Sequence, residues 1–202
     1  SWKTPEHEGC TEVYRSVFSI LKADDAYQRF VFITGITKFT QISLFSVLNN
    51  LTNISFLPEY AAICGITEEE IGENEWTLQQ THDNLKDYYD GYHFSRRNMV
   101  DIYNPFSLLN ALDAQDLSCF WVSSGATSML PKFVDNMELR LRNFENCPIL
   151  RKTLESSDVI NGGAELFLYQ TGYLTIKSSD EFGYFLGFPN QEVKQAIRLG
   201  NY

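Results

Sequence analysis

The run Phe30-Val31-Phe32-Ile33 is continuously apolar, entered from Arg29 and left through Thr34-Gly35. An amphipathic helix would interrupt such a run on its solvent face, and a half-exposed strand would alternate. A short unbroken apolar run closed by a turn suits a strand covered on both faces, as in a parallel α/β sheet. Upstream, Val13, Tyr14, Val17, Phe18 and Leu21 make a helical stripe that Ala23-Asp24-Asp25-Ala26 breaks. A helix feeding such a strand is half of an α/β unit. The exit, Thr34-Gly35-Ile36-Thr37-Lys38, sets two hydroxyls and an ammonium just past the strand's carboxyl end. Open α/β sheets bind ligands at that edge. The alternative for the same residues is a helix N-cap and loop, since threonine is a common cap.

Beyond this unit the pattern changes. Gln41 to Leu51 is predicted helical, closed by Asn49-Asn50, and Asn53-Ile54-Ser55-Phe56 alternates as a short strand. A domain boundary is placed between Pro58 and Gly65. Thr67 and Glu70 are spaced as a capping box. Glu75 to Tyr89 reads as a polar helix ended by the turn Asp90-Gly91. Asn104-Pro105 opens another helix, with Asn as N-cap and Pro at the first helical position; Phe106, Leu109 and Leu112 give it an apolar face. Ser123-Ser124-Gly125 is a break, and Phe133, Met137, Leu141 and Phe144 mark a further amphipathic helix. The last fifty residues switch style. Ala164 to Gln170 is a short helix closed by Thr171-Gly172, Tyr173 to Lys177 a strand, Ser178 to Gly183 a turn, and Tyr184 to Phe188 a second strand. A helix followed by a β-hairpin is the order of a winged-helix module. Pro189-Asn190-Gln191-Glu192 opens a terminal helix.

Composition narrows the function. A hydrophobic fraction of 44% and an aromatic fraction of 14% belong to an ordered domain. No stretch reaches the roughly 18 apolar residues of a membrane span, and the start has neither a signal-peptide core nor an initiator Met, which fits a fragment. A net charge of −10 works against nucleic-acid binding. The basic stretch from Lys132 to Lys152 is interrupted by Asp135, Glu138 and Glu145, so it reads as a solvated helix face. Cys10, Cys64, Cys119 and Cys147 form no paired spacing, and His7, His82 and His93 form no ligand set. The cysteines read as small buried residues in a reducing compartment, so the expected location is cytoplasmic, with no membrane contact.

The motifs of complete active sites are missing. There is no G-x-x-x-x-G-K-[ST] loop to hold phosphate, no buried strand ending in paired acids for magnesium, and no G-x-S-x-G or H-E-x-x-H. Read from its residues alone, the chain is α/β followed by mostly helical structure, with a polar strand edge.

Longer strings carry a resemblance. Phe30 to Phe39, Ser43 to Ser46, Asn49 to Ser55, Cys64 to Glu70, Tyr89-Asp90-Gly91-Tyr92-His93-Phe94, Tyr103-Asn104-Pro105-Phe106-Ser107, Gln170 to Ile176 and Pro189 to Val193 together resemble the bacterial AAA-ATPase-like family. These are predicted P-loop ATPases, often followed by a PD-(D/E)XK nuclease-like domain. The resemblance implies that this chain lies downstream of the Walker motifs, with ATP and Mg bound by the parent protein and neither held tightly here. It implies residues 1–60 as the C-terminal part of the P-loop ATPase sheet, 61–150 as a helical lid, and 151–202 as a winged-helix-like module. Thr34 would be a sensor-1-like residue near the γ-phosphate, with Thr37 and Lys38 as neighbours reaching phosphate. Asp90, Tyr92 and Asn104 keep the readings of turn, packed aromatic and N-cap, and Arg96 and Arg97 that of a solvated turn, with an arginine contact as the alternative. The implied function is nucleotide sensing and transmission rather than hydrolysis by these residues alone. Its partners would be the upstream and downstream parts of the same polypeptide and, further, a protein rather than nucleic acid. The rival function is a non-catalytic protein-interaction module.

Overall fold

The structure, a computed structural model, describes residue 13 and residues 16–35, 51–72, 82–123, 144–155 and 163–199. A helical stretch covers residues 16–23 and gives way to the 3-10 turn Asp25–Tyr27, as the Ala23–Ala26 break predicts. Phe30 to Ile33 departs from expectation: it joins no sheet and forms no regular element. Phe30 is 82% and Phe32 48% exposed, so the run is not the doubly covered strand of a parallel sheet. A strand exists only where another edge takes its N–H and C=O groups, and no described residue does so here.

Asn53 to Phe56 is likewise no strand. The Asn53 side chain accepts from Ser55 N–H at 3.0 Å and folds the segment into a turn. The Glu70 carboxylate does reach back to Thr67 N–H at 2.8 Å, but the element it caps is only the 3-10 turn Glu68–Glu70.

Helix α1 (His82–Tyr89) is the described part of the polar helix ending at Asp90-Gly91. Helix α2 (Pro105–Ala114) starts as predicted, with Asn104 Oδ1 accepting from Phe106 N–H at 3.0 Å and Ser107 N–H at 3.4 Å. Asn104→Ala is expected to lower stability by about 1 kcal/mol, read as a lower urea midpoint. The buried face of α2 matches the predicted one only at Leu112. Phe106 and Leu109 are exposed, while Ser107, Leu108 and Ala111 are buried, and Leu112 packs with Leu108 and Ala111 against Leu85, Tyr89 and Tyr103.

Short helix α3 (Phe120–Ser123) is followed by β1 (Cys147–Leu150) and α4 (Arg151–Leu154). Helix α5 (Gly163–Gln170) ends at Gly172, where φ is +84°. Tyr173 and Leu174 N–H both return to Leu168 O, at 2.8 and 3.0 Å. That closure delays the next strand, so β2 runs Thr175–Ser179 rather than starting at Tyr173. In the turn, Asp180 Oδ1 accepts from Phe182 and Gly183 N–H, both at 2.8 Å, and β3 is Gly183–Gly187. Helix α6 (Gln191–Leu199) follows. The sheet is antiparallel in the order β1-β3-β2, so the described strands are not those of a parallel sheet. Lys177 is an extra residue in the β2–β3 ladder, and Pro148 sits within β1.

The fold is mixed α/β. Trp121, Leu166, Leu168, Tyr173, Leu174, Ile176, Leu186 and Val193 form the main core together with Tyr92 and Ile102, so residues on both sides of position 150 share it. A second cluster joins Leu85, Tyr89, Tyr103, Leu108 and Ala111. Each such buried aliphatic side chain contributes about 1.5–3 kcal/mol. The described cysteines are less buried than predicted: Cys64 is exposed, Cys119 and Cys147 intermediate, and all are free. Cys119 Sγ is kept at the margin by Gln195 Oε1 at 3.1 Å. Among the described residues no helix is long and apolar enough to cross a membrane. Residues 41–50 of the predicted helix Gln41 to Leu51, Phe133, Met137 and Leu141 of the later stripe, and Cys10 lie outside the described residues, while Leu51 and Phe144 are described and not helical.

Candidate functional site

Polar chemistry concentrates on the loop between α1 and α2. Gly91 takes φ +90° directly after α1 and turns the chain back, and Tyr92 and Ile102 then pair across the loop. The turn aims Tyr92 and His93 at the C-terminal half of the chain. Tyr92 OH donates to Gly172 O at 3.0 Å. His93 N–H donates to Thr175 Oγ1 at 2.7 Å, and the Thr175 hydroxyl donates back to His93 O at 3.1 Å. The His93 ring lies between Ile176 O (Nδ1, 2.9 Å) and Asp101 Oδ1 (Nε2, 2.7 Å). Asn190 Nδ2 donates to Asp90 O at 3.0 Å while its Oδ1 accepts from Val193 N–H at 3.1 Å, capping α6. Buried Glu192 accepts from Trp121 N–H at 2.7 Å. The loop is thereby sewn to β2, α5 and α6 through buried polar groups.

Beside this joint lies a polar pocket of about 250 Å³, whose wall includes Lys86, Asp90, Asp101, Glu145, Lys177 and Lys194. Lys194 Nζ pairs with Glu145 at 3.0 Å, and Lys86 Nζ with Asp101 at 3.5 Å. Asp90 is 1% exposed, its oxygens lack hydrogen bonds of normal geometry, and Lys86 Nζ stands 3.8 Å away. Burial therefore pushes the Asp90 carboxyl above its usual range, and the nearby Asp101 pushes the same way. Burial lowers the Lys177 ammonium against the opposing pull of Glu145, and Lys177 Nζ donates to Pro189 O at 3.2 Å. With Asp87, four acids and three lysines line this pocket, so their charges largely offset. Among the described residues no group of three or more His, Cys, Asp or Glu is placed to hold a metal.

On another side of the same loop is a cleft of about 400 Å³ between residues 53–58, Arg96, Arg97, Glu155 and Tyr184. Phe56 stacks on Tyr169 and Tyr184, with ring centroids 6.2 Å apart in each case. Tyr184 OH donates to Glu155 Oε1 at 2.8 Å; burial and this carboxylate push the phenol up to about 12.

Of the residues singled out from sequence, Thr34 is exposed in the irregular segment after Ile33. Thr37 and Lys38 lie outside the described residues. Asp90, Tyr92 and Asn104 occupy a turn, the core and an N-cap. The connections of His93 had no signal in the sequence, because Thr175 and Ile176 lie 82 and 83 residues away.

The chain is 30% identical over 189 residues, 91% of its length, to an uncharacterized protein in the vnfD 5′ region of Azotobacter chroococcum mcd 1. It spans 36% of the length of that curated relative. No family model matches the chain. No solved structure matches it.

Proposed function

We propose that this chain is part of a longer AAA-like P-loop ATPase, in which it senses nucleotide and transmits the change rather than hydrolysing ATP itself. The observation that supports this most directly is the buried joint through His93, Thr175 and Asn190. Breaking such a bond strands a desolvated polar group at a cost of about 1–3 kcal/mol, so the joint moves as a unit. Displacement of the 90–103 loop is then passed to the sheet and α6. In this reading ATP and magnesium are held by other parts of the longer protein, Thr34 stands near the γ-phosphate, and Thr37 and Lys38 reach phosphate. The order β1, α4, α5, β2, β3, with β3 central, supports a winged-helix-like transmitting unit. Helix α5 holds Glu165 and no Lys or Arg, which favours a protein partner over nucleic acid.

Thr34→Ala in the full-length protein is expected to lower ATP turnover about tenfold, the loss of one hydrogen bond to the reacting phosphate. A full-length protein with an intact phosphate loop that neither binds nor hydrolyses ATP would end this reading. A second reading, a non-catalytic protein-interaction module, is supported by the hairpin tip. There Phe182 and Leu150 are 71% and 65% exposed on a turn braced by Asp180 and by Arg151, which donates to Asp180 O and Glu181 O. Partner binding indifferent to both ATP and Thr34→Ala favours this second reading.

A further inference from the structure

We propose that the cleft bearing Arg96 and Arg97 binds a phosphorylated small molecule carrying a planar ring, of the mononucleotide class. This site is built from residues 53–58, 95–98, Glu155 and Tyr184, and it stands whether or not Thr34 ever faces a phosphate. Its volume of about 400 Å³ is in the range of small-molecule sites, roughly 300–1,000 Å³.

The charges are arranged for one anion. Among the described residues neither guanidinium has a carboxylate within 4.0 Å, Glu155 included. Both arginines line the cleft, and Arg can grip the oxygens of a phosphate through paired N–H groups. Their backbone is anchored beforehand. Ser95 is buried, its hydroxyl accepts from Arg97 N–H at 3.3 Å, and Asn98 Nδ2 donates to Pro58 O at 3.0 Å. A loop fixed before binding loses little freedom when the ligand arrives.

The other wall is apolar and flat. Phe56, Leu57 and Pro58 line it, with the Phe56 ring packed against both Tyr169 and Tyr184 at interplanar angles of 11° and 29°. A planar ring stacks on such a surface, and an aliphatic phosphate gains less from it. Glu155 gives the wall beside Tyr184 a negative charge, so the phosphate is drawn to the arginines and the ring to Phe56. The Asp90 pocket, where acids and lysines largely offset, has no such polarity.

The test is calorimetric titration of the full chain with AMP, ADP, GMP, inorganic phosphate, adenosine and a short single-stranded oligonucleotide. The expected result is one mononucleotide bound per chain. Arg96→Ala and Arg97→Ala should each weaken it about tenfold to a hundredfold, the usual worth of a charge-assisted hydrogen bond. The double Lys variant, Arg96→Lys with Arg97→Lys, keeps the surface charge and the fold, and should recover only part of the binding. Phe56→Leu should weaken nucleotide and leave inorganic phosphate nearly unchanged. The proposal is overturned by the absence of binding at millimolar nucleotide, or by binding that both Arg→Ala variants leave intact. It is also overturned if inorganic phosphate binds as tightly as nucleotide, which removes the ring. Steeply salt-dependent binding of the oligonucleotide in preference to mononucleotides would overturn it in favour of a nucleic-acid surface.

Discussion

Gly91→Ala is expected to destabilise the protein by about 3 kcal/mol or more, because two separate costs add at one position. The first is conformational. Gly91 has φ +90°, a region that costs an L-residue about 1–2 kcal/mol. The second is steric, because a methyl group there would stand 2.5 Å from the Pro189 carbonyl oxygen. That oxygen is backbone, so no rotamer change relieves the overlap, and repacking around such an intrusion costs about 1–3 kcal/mol. Pro189 O also holds Lys177 Nζ, and the next residue, Asn190, holds Asp90 O. Pushing the two segments apart therefore loosens the loop and α6 together. For a chain of this size the expected drop in Tm is about 6–12 °C, measured by circular dichroism. A variant that melts within about 2 °C of the parent would show that Gly91 does not abut Pro189.

Asp90→Asn is expected to change the dependence of stability on pH. Burial raises the Asp90 carboxyl above its ordinary value of 3.8, and it raises Glu192 above 4.5. A carboxyl raised by folding holds its proton more tightly in the native state than in the unfolded one. Its contribution to stability is complete below the unfolded value and is lost as pH rises through the higher native value. The parent should therefore lose stability from these two groups as the solution moves from about pH 4 towards neutrality. The amide introduced by Asp90→Asn carries no charge, so the variant should gain on the parent over that interval, by on the order of 1–3 kcal/mol at neutral pH. Urea midpoints for both proteins at about pH 4 and pH 7 measure the difference directly. A gap that is the same at both values would show that Asp90 is not desolvated in the native state.

What the sequence made legible were the features settled by neighbours a few residues away. Asn104-Pro105 caps α2 because a side-chain amide, a fixed φ and two free N–H groups lie within four residues. The Gly172 closure and the Asp180 turn are equally local, and the hairpin followed with β2 two residues later and β3 one residue earlier than expected. What stayed hidden depended on distant partners. Phe30 to Ile33 has the composition of a covered strand, yet strandhood belongs to a pair of edges, and its own four residues cannot supply the second. The face of α2 follows the cluster in which Leu108 and Ala111 meet Leu85, Tyr89 and Tyr103, and Phe106 is left outside. His93 gave no ligand pattern because two of its partners, Thr175 and Ile176, are on β2 and only Asp101 is near in sequence. Arg96 and Arg97 read as a solvated turn and do lie in a bend with Arg97 exposed, but the cleft beside them also needs Phe56, Glu155 and Tyr184, which are distant in sequence.

The small sheet has two outer strands, and each carries a flaw at a useful place. Lys177 bulges from β2, which twists that margin and sets an ammonium on it. Pro148 lies within β1, where the missing N–H is tolerated only on an outer strand. Breaks of this kind make an edge a poor template for strand addition, so a bulge and a proline at these places work against growth of the sheet.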